Sequence, residues 1–84
     1  MRIEYSPQFA RMYKKLDSKI QDRAEVREQI FRRDPFDPRL KTHKLTAMLK
    51  DKWAFSVDYK NRIIFSFVNV HTVRFHVIGN HDIY

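Results

Sequence analysis

The sequence predicts an α+β domain: a helical hairpin packed on one face of an antiparallel sheet, in the order β-α-α-β-β-β. Three observations predict it. Apolar residues recur at helical spacing between positions 9 and 31. They alternate with period two in the segments from 53 to 78, the signature of strands. The break Asp34-Pro35-Phe36-Asp37-Pro38 separates the two regimes, because neither proline can continue a helix.

Taken in order, Arg2 to Tyr5 alternates polar and apolar and reads as a short strand. Ser6-Pro7 supplies an N-cap and a first-turn proline for a helix. Phe9, Met12, Tyr13 and Leu16 form its apolar stripe. Asp17-Ser18 caps a second helix, on which Ile20, Ala24, Arg27 and Phe31 share one face with Ile30 beside them. So short a link implies an antiparallel pair. Arg39 to Lys52 is a basic loop with a short turn, anchored by Leu40, Leu45, Met48 and Leu49. In the next strand Trp53, Phe55, Val57 and Tyr59 face the helices, leaving Ser56 and Asp58 on the open face. Lys60-Asn61 is expected to be a tight turn, with asparagine tolerating positive φ. Arg62 to Val68 is apolar on both faces, as a central strand should be. Asn69-Val70-His71 turns again into Thr72 to Ile78, and Gly79 ends that strand. No repeat or linker divides the chain, so residues 1–84 are one domain.

Composition narrows the function. Lys plus Arg is 17 and Asp plus Glu is 10, a formal net charge of +7. Such an excess favours a polyanionic partner, nucleic acid first and an acidic protein second. With no cysteine, a disulfide framework, zinc ribbon or thiol nucleophile is excluded, and a reducing cytoplasmic setting is expected. The apolar runs are too short to cross a membrane. Met1 leads directly into Arg-Ile-Glu-Tyr without a signal-like stretch. A single glycine rules out a glycine-rich phosphate loop. No histidine pair has metal-ligand spacing, so neither metal nor cofactor is expected.

Four segments carry a resemblance: Leu40-Lys41-Thr42-His43-Lys44-Leu45, Trp53-Ala54-Phe55-Ser56-Val57-Asp58-Tyr59, Asn61-Arg62-Ile63-Ile64-Phe65 and Ile78-Gly79-Asn80-His81-Asp82-Ile83-Tyr84. In this succession the chain resembles the RelE/ParE toxins, nearest to their YafQ and YoeB branches, over almost its whole length. The resemblance implies the toxin of a type II toxin–antitoxin pair. Its activity would be a metal-independent endoribonuclease cutting mRNA in the ribosomal A site, and its partner a cognate antitoxin. The RNA's own 2′-hydroxyl would attack the adjacent phosphate, leaving a cyclic phosphate and a free 5′-hydroxyl.

The same resemblance assigns roles. His81 matches the near-terminal histidine and His43 the histidine of the basic loop. Imidazoles titrate near neutrality and serve as acid and base, though which does which is left open by the sequence. Arg62 matches the arginine that opens the central strand, where a guanidinium fork stabilises phosphate charge. Asp58, read as lying across the hairpin from Arg62, would act as base or orient a histidine, or form a plain ion pair. Lys44, Lys50 and Lys52 would track the RNA backbone, and Tyr84 would stack on a base or pack on the sheet. His71 and His76 have no counterpart and read as structural or solvated. The chain departs from YafQ-like relatives at Ser56, Lys60 and Val77, where they often carry a histidine, an acid and an arginine. Two rivals follow: a ParE-like toxin that poisons DNA gyrase, and a degenerate module that binds antitoxin or RNA without chemistry.

Overall fold

The structure, a computed structural model, describes residues 1–46 and 51–83, with only the main chain at His81. Among the described residues the elements run β1 (Arg2–Tyr5), α1 (Pro7–Lys14), α2 (Ser18–Arg33), a 3-10 turn (Pro38–Leu40), β2 (His43–Lys44), β3 (Trp53–Ser56), β4 (Arg62–Asn69), β5 (Thr72–Gly79) and a terminal 3-10 turn (His81–Ile83). The strands form one sheet in the order β1-β5-β4-β3-β2. From β2 to β5 each pairs antiparallel with its neighbour.

The expected α+β class and helical hairpin are present, but the sheet is mixed: β1 runs parallel to β5, with Ile3 opposite Val73 and Tyr5 opposite Phe75. A parallel pair needs a long crossover between its strands, and here the helices and the whole meander from β2 to β4 lie between them. The direction of β1 follows from which sheet edge remains open, which no local pattern encodes.

The helices begin where their caps dictate. The Ser6 hydroxyl accepts from Phe9 N at 2.9 Å and donates to His76 O at 2.7 Å, so one side chain starts α1 and ties it to β5. Asp17 accepts from Lys19 N at 2.8 Å and starts α2. The buried faces meet in an aromatic centre. Phe31 is fully buried, its ring centroid 4.8 Å from Phe55, 4.9 Å from Phe65 and 5.5 Å from Phe75. Such offset and edge-to-face pairs add to the burial energy of the rings.

Three local expectations change. First, β3 stops at Ser56 rather than running to Tyr59. Val57 is buried, whereas Tyr59 is 93% exposed and does not meet the helices. Second, residues 57–60 form a wide bend, and Asn61 does not take positive φ; among the described residues only Lys41 and Asp51 do. Val57 N and Asp58 N both donate to Asn61 O, at 2.8 and 3.3 Å, and this closes the hairpin without a left-handed residue. Third, the basic loop carries the first 3-10 turn and β2, with Leu40 fully buried. Asp37 caps that turn and grips Arg39 through two contacts of 2.9 and 3.0 Å. The side-chain bonds to Arg39 hold the Asp37 carboxyl down to about 2. Met48 and Leu49, two expected anchors of that loop, lie outside the described residues. Strand β4 is buried on both faces only from Ile63 to Phe65; its far half, Phe67 to Asn69, is exposed.

Candidate functional site on the open sheet face

The helices cover the sheet face bearing Phe55, Ile63, Phe65 and Phe75. Side chains alternate along a strand, so the opposite face carries His43 on β2, Ala54 and Ser56 on β3, Arg62, Ile64 and Ser66 on β4, and Arg74 and Val77 on β5. The ladder sets these residues in rows. Ser56, Arg62 and Gly79 form one; His43, Ala54, Ile64 and Val77 form the next. A third runs through Ser66, Arg74 and Glu4.

Arg62 stands half-buried in the first row. Its ladder partner Gly79 leads within two residues to His81, the first residue of the terminal 3-10 turn. Asn80 builds that turn: its Oδ1 accepts from Asp82 N at 3.0 Å and its carbonyl from Ile83 N at 3.1 Å. His43 lies two strands from Arg62 and one pleat along. That is about 12 Å between Cα atoms at standard strand spacings, and their side chains face the same way. His43 Nδ1 is 3.0 Å from Lys41 O. A carbonyl only accepts, so Nδ1 is the donor of this bond, and in the neutral form of the ring Nε2 is then the acceptor.

The remaining expected residues are divided. Asp58 does not pair with Arg62. Its Oδ1 accepts from Lys60 N at 2.8 Å, Asn61 N at 2.7 Å and Asn61 Nδ2 at 3.1 Å. With Lys19, Ile20 and Arg23 of α2 it lines a hollow on the helix side. Burial pushes the Asp58 carboxyl up, but the Asn61 and Lys60 hydrogen bonds and the charge of Arg23 outweigh this and hold it below its ordinary range. Because β3 ends three residues earlier than its pattern suggests, Asp58 leaves the open face and closes the turn. Lys44 pairs with Trp53 and therefore points away from His43. Lys52 precedes β3 in the alternation of Ala54 and so belongs to the open face, its carbonyl accepting from Leu45 N at 2.9 Å. Lys50 and Tyr84 lie outside the described residues.

Sequence reasoning passed over His76. The ladder shifts register between Ile64 and Phe65: Ile64 faces Val77 and Phe65 faces Phe75. His76 is the extra residue of this bulge. Bulges re-aim side chains, and this one directs His76 onto Ser66, with Oγ and Nε2 2.7 Å apart. Burial first, then Lys52 and Arg74, pushes the imidazole below its ordinary range. No local signal marks a bulge within the alternating run from Val73 to Ile78.

The open face gathers Lys52, Arg62, Arg74 and two imidazoles, with Glu4 meeting Arg74 at 3.5 Å at its far margin. The helix side holds a hollow of about 400 Å³ lined by Tyr5, Phe9, Tyr13, Lys14, Glu25 and Glu28. Tyr5 Oη donates to Glu28 there at 2.8 Å. Among the described residues no group of three or more histidine, cysteine, aspartate or glutamate side chains is placed to hold a metal ion. No helix of the described chain is long and apolar enough to cross a membrane.

A helical hairpin on a five-stranded mixed sheet with this connectivity is the fold of the RelE, YoeB and YafQ toxins. The chain superimposes on YafQ from E. coli with a TM-score of 0.81 over 99% of this chain and 97% of that one, at 20% identity. A YoeB/ParE toxin from Agrobacterium tumefaciens gives 0.82, covering 96% and 99%, at 13% identity. A heterotetrameric YoeB–YefM toxin–antitoxin complex from Staphylococcus aureus gives 0.78, covering 96% and 97%, at 19% identity. No family model and no curated protein matches the chain.

Proposed function

We propose that this chain is the toxin of a type II toxin–antitoxin pair and that it cleaves mRNA on the ribosome without a metal. The observation carrying the proposal is the row Ser56–Arg62–Gly79, which pairs Arg62 with the residue leading into the turn that bears His81, on the face that also presents His43. In this mechanism Nε2 of His43 takes the proton of the attacking 2′-hydroxyl. The 2′-oxygen forms the new bond to phosphorus, and the bond to the 5′-oxygen breaks. His81 returns a proton to that leaving oxygen. Arg62 holds the charge that grows on the phosphoryl oxygens, where a preorganised cation is most effective. Asp58 serves as the clasp of the preceding turn.

YoeB in the complex above is held by its antitoxin, and the exposed cationic face suits a partner of the same kind: an acidic segment that covers the site. A cytoplasmic setting follows from a ribosomal substrate. The decisive experiment is primer extension on cellular mRNA after induction of wild type, Arg62→Ala and His81→Ala. Discrete new 5′ ends with wild type alone are expected. Intact mRNA alongside arrested DNA replication would favour gyrase poisoning instead.

A further inference from the structure

Arg62 stands at one end of β4, while the far end of the same face holds a second cluster. Ser66 is four residues beyond Arg62 on β4, about 13 Å away at strand rise, so one phosphate cannot touch both. Arg74 is the ladder partner of Ser66. Lys52 extends β3 one residue before Trp53, whose own partner is Phe65, and the alternation places Lys52 alongside Ser66. The β5 bulge adds His76, hydrogen-bonded to Ser66 at 2.7 Å. Lys52 and Arg74 are both close enough to depress the titration of His76. Two cations, a hydroxyl and an imidazole thus meet on one patch, all four half-buried.

The fold does not require this cluster. Its acidic neighbour, Glu4, meets Arg74 through a single contact of 3.5 Å. The bulge itself is anchored from behind, where the His76 carbonyl accepts from the Ser6 hydroxyl at 2.7 Å. The main chain of β5 is therefore fixed while the half-buried imidazole turns toward Ser66 on the open face. Flexible lysine charge, a planar guanidinium fork and neutral hydrogen-bonding groups together suit a phosphodiester oxygen. Strand β4 carries both the patch and Arg62, with the buried Ile64 between them, so a polyanion lying over this row would meet both.

We propose that Lys52, Ser66, Arg74 and His76 form a second phosphate subsite, which holds a non-scissile phosphate of the same RNA strand whose scissile phosphate lies at Arg62. Lys52 and Arg74 supply charge, and Ser66 and His76 supply directed hydrogen bonds. The subsite rests on the nuclease reading for the identity of the strand. It sets where along the strand the cut falls, because it fixes one phosphate relative to another.

The test uses a short 2′-O-methyl oligoribonucleotide, which cannot be cleaved, so binding is read apart from chemistry. Fluorescence anisotropy against salt is measured for wild type, for Lys52→Ala/Arg74→Gln and for Arg62→Ala, each checked for fold by circular dichroism. The double variant is expected to bind about tenfold more weakly. Its salt slope should fall by about 0.7, the contribution of one neutralised phosphate on a single strand. A purely structural role for the two cations would leave that slope unchanged. A second pair, Ser66→Ala and His76→Gln, is expected to keep the slope and weaken binding less. A folded double variant with wild-type affinity and slope overturns the subsite. If the double variant shows the expected slope change yet wild type cuts no mRNA in a purified translation system, the subsite stands and the nuclease reading fails. If wild type cuts RNA while the double variant binds unaltered, the nuclease reading stands and the subsite fails.

Discussion

A Cβ atom on Gly79 would stand 2.7 Å from Cγ2 of Ile83 and 3.6 Å from Cε of Met12. The terminal turn thus folds back onto β5 at the one position where the strand has no side chain. Gly79 also pairs with Arg62, so the same residue fixes the row of the guanidinium and seats the turn that carries His81. In Gly79→Ala, Ile83 must give way, and its branched methyl is not the free end of a flexible chain. Overpacking of this kind costs about 1–3 kcal/mol. The expected outcome is a Tm lowered by several degrees and a fall in RNA cleavage larger than the lost stability explains. Wild-type cleavage in this variant would separate the turn from the chemistry.

Arg62 is expected to be replaceable without loss of fold, since it is only half-buried and forms no ion pair among the described residues. Arg62→Ala should lower the cleavage rate about 100- to 1000-fold, the range seen when one preorganised charge-stabilising group is removed. Arg62→Lys should restore little, because a point charge does not reproduce the planar fork. Single-turnover cleavage in a purified translation system measures both. A rate for Arg62→Ala near that of wild type would remove Arg62 from the mechanism.

Asp58 makes a pH-dependent prediction. Its folded carboxyl titrates below its ordinary range because the Asn61 and Lys60 hydrogen bonds outweigh burial. A carboxylate depressed in the folded state contributes stability above its unfolded pKa of about 4 and loses it as pH falls through the folded value. Asp58→Ala should therefore cost about 1 kcal/mol at neutral pH, and the gap to wild type should narrow below about pH 4. Asp58→Asn keeps an acceptor oxygen for the turn and should cost less, with the same narrowing. Urea titrations at neutral and acid pH give the comparison. A gap independent of pH would mean the charge itself does not hold the bend.

Phe31 carries the hydrophobic centre. It is fully buried and stacks on Phe55 while meeting Phe65 and Phe75 edge-on. Phe31→Ala should cost about 3–5 kcal/mol, a large share of the roughly 5–15 kcal/mol typical of a small domain. The expected result is a chain largely unfolded at growth temperature, read by loss of the cooperative transition in urea. Phe31→Leu keeps most of the volume and should retain that transition.

Much of this architecture was legible along the chain. Ser6, Pro7 and Asp17 mark the helix starts by themselves, because a cap bonds main-chain groups two or three residues away. Phe9, Ala24 and Phe31 fall on buried faces because helical spacing alone puts them there, and Phe55 and Val73 do so by alternation. Arg62 was legible as a candidate because it opens an apolar strand directly after a turn.

What resisted reading depended on contacts distant in sequence. The carboxylate of Asp58 is claimed by a wide bend whose closing bonds form only when β3 and β4 pair. His76 sits in an ordinary alternating run, and only the pairing of Ile64 with Val77 and of Phe65 with Phe75 shows that a residue has been added. The parallel seating of β1 beside β5 is the same kind of fact. By itself the sequence determined the helices, their caps, the apolar faces of those helices and the positive charge, since these rest on forces acting over a few residues. Tertiary structure alone decided strand direction, the bulge and which polar groups share the open face, since these are set by pairing energies between segments up to seventy residues apart.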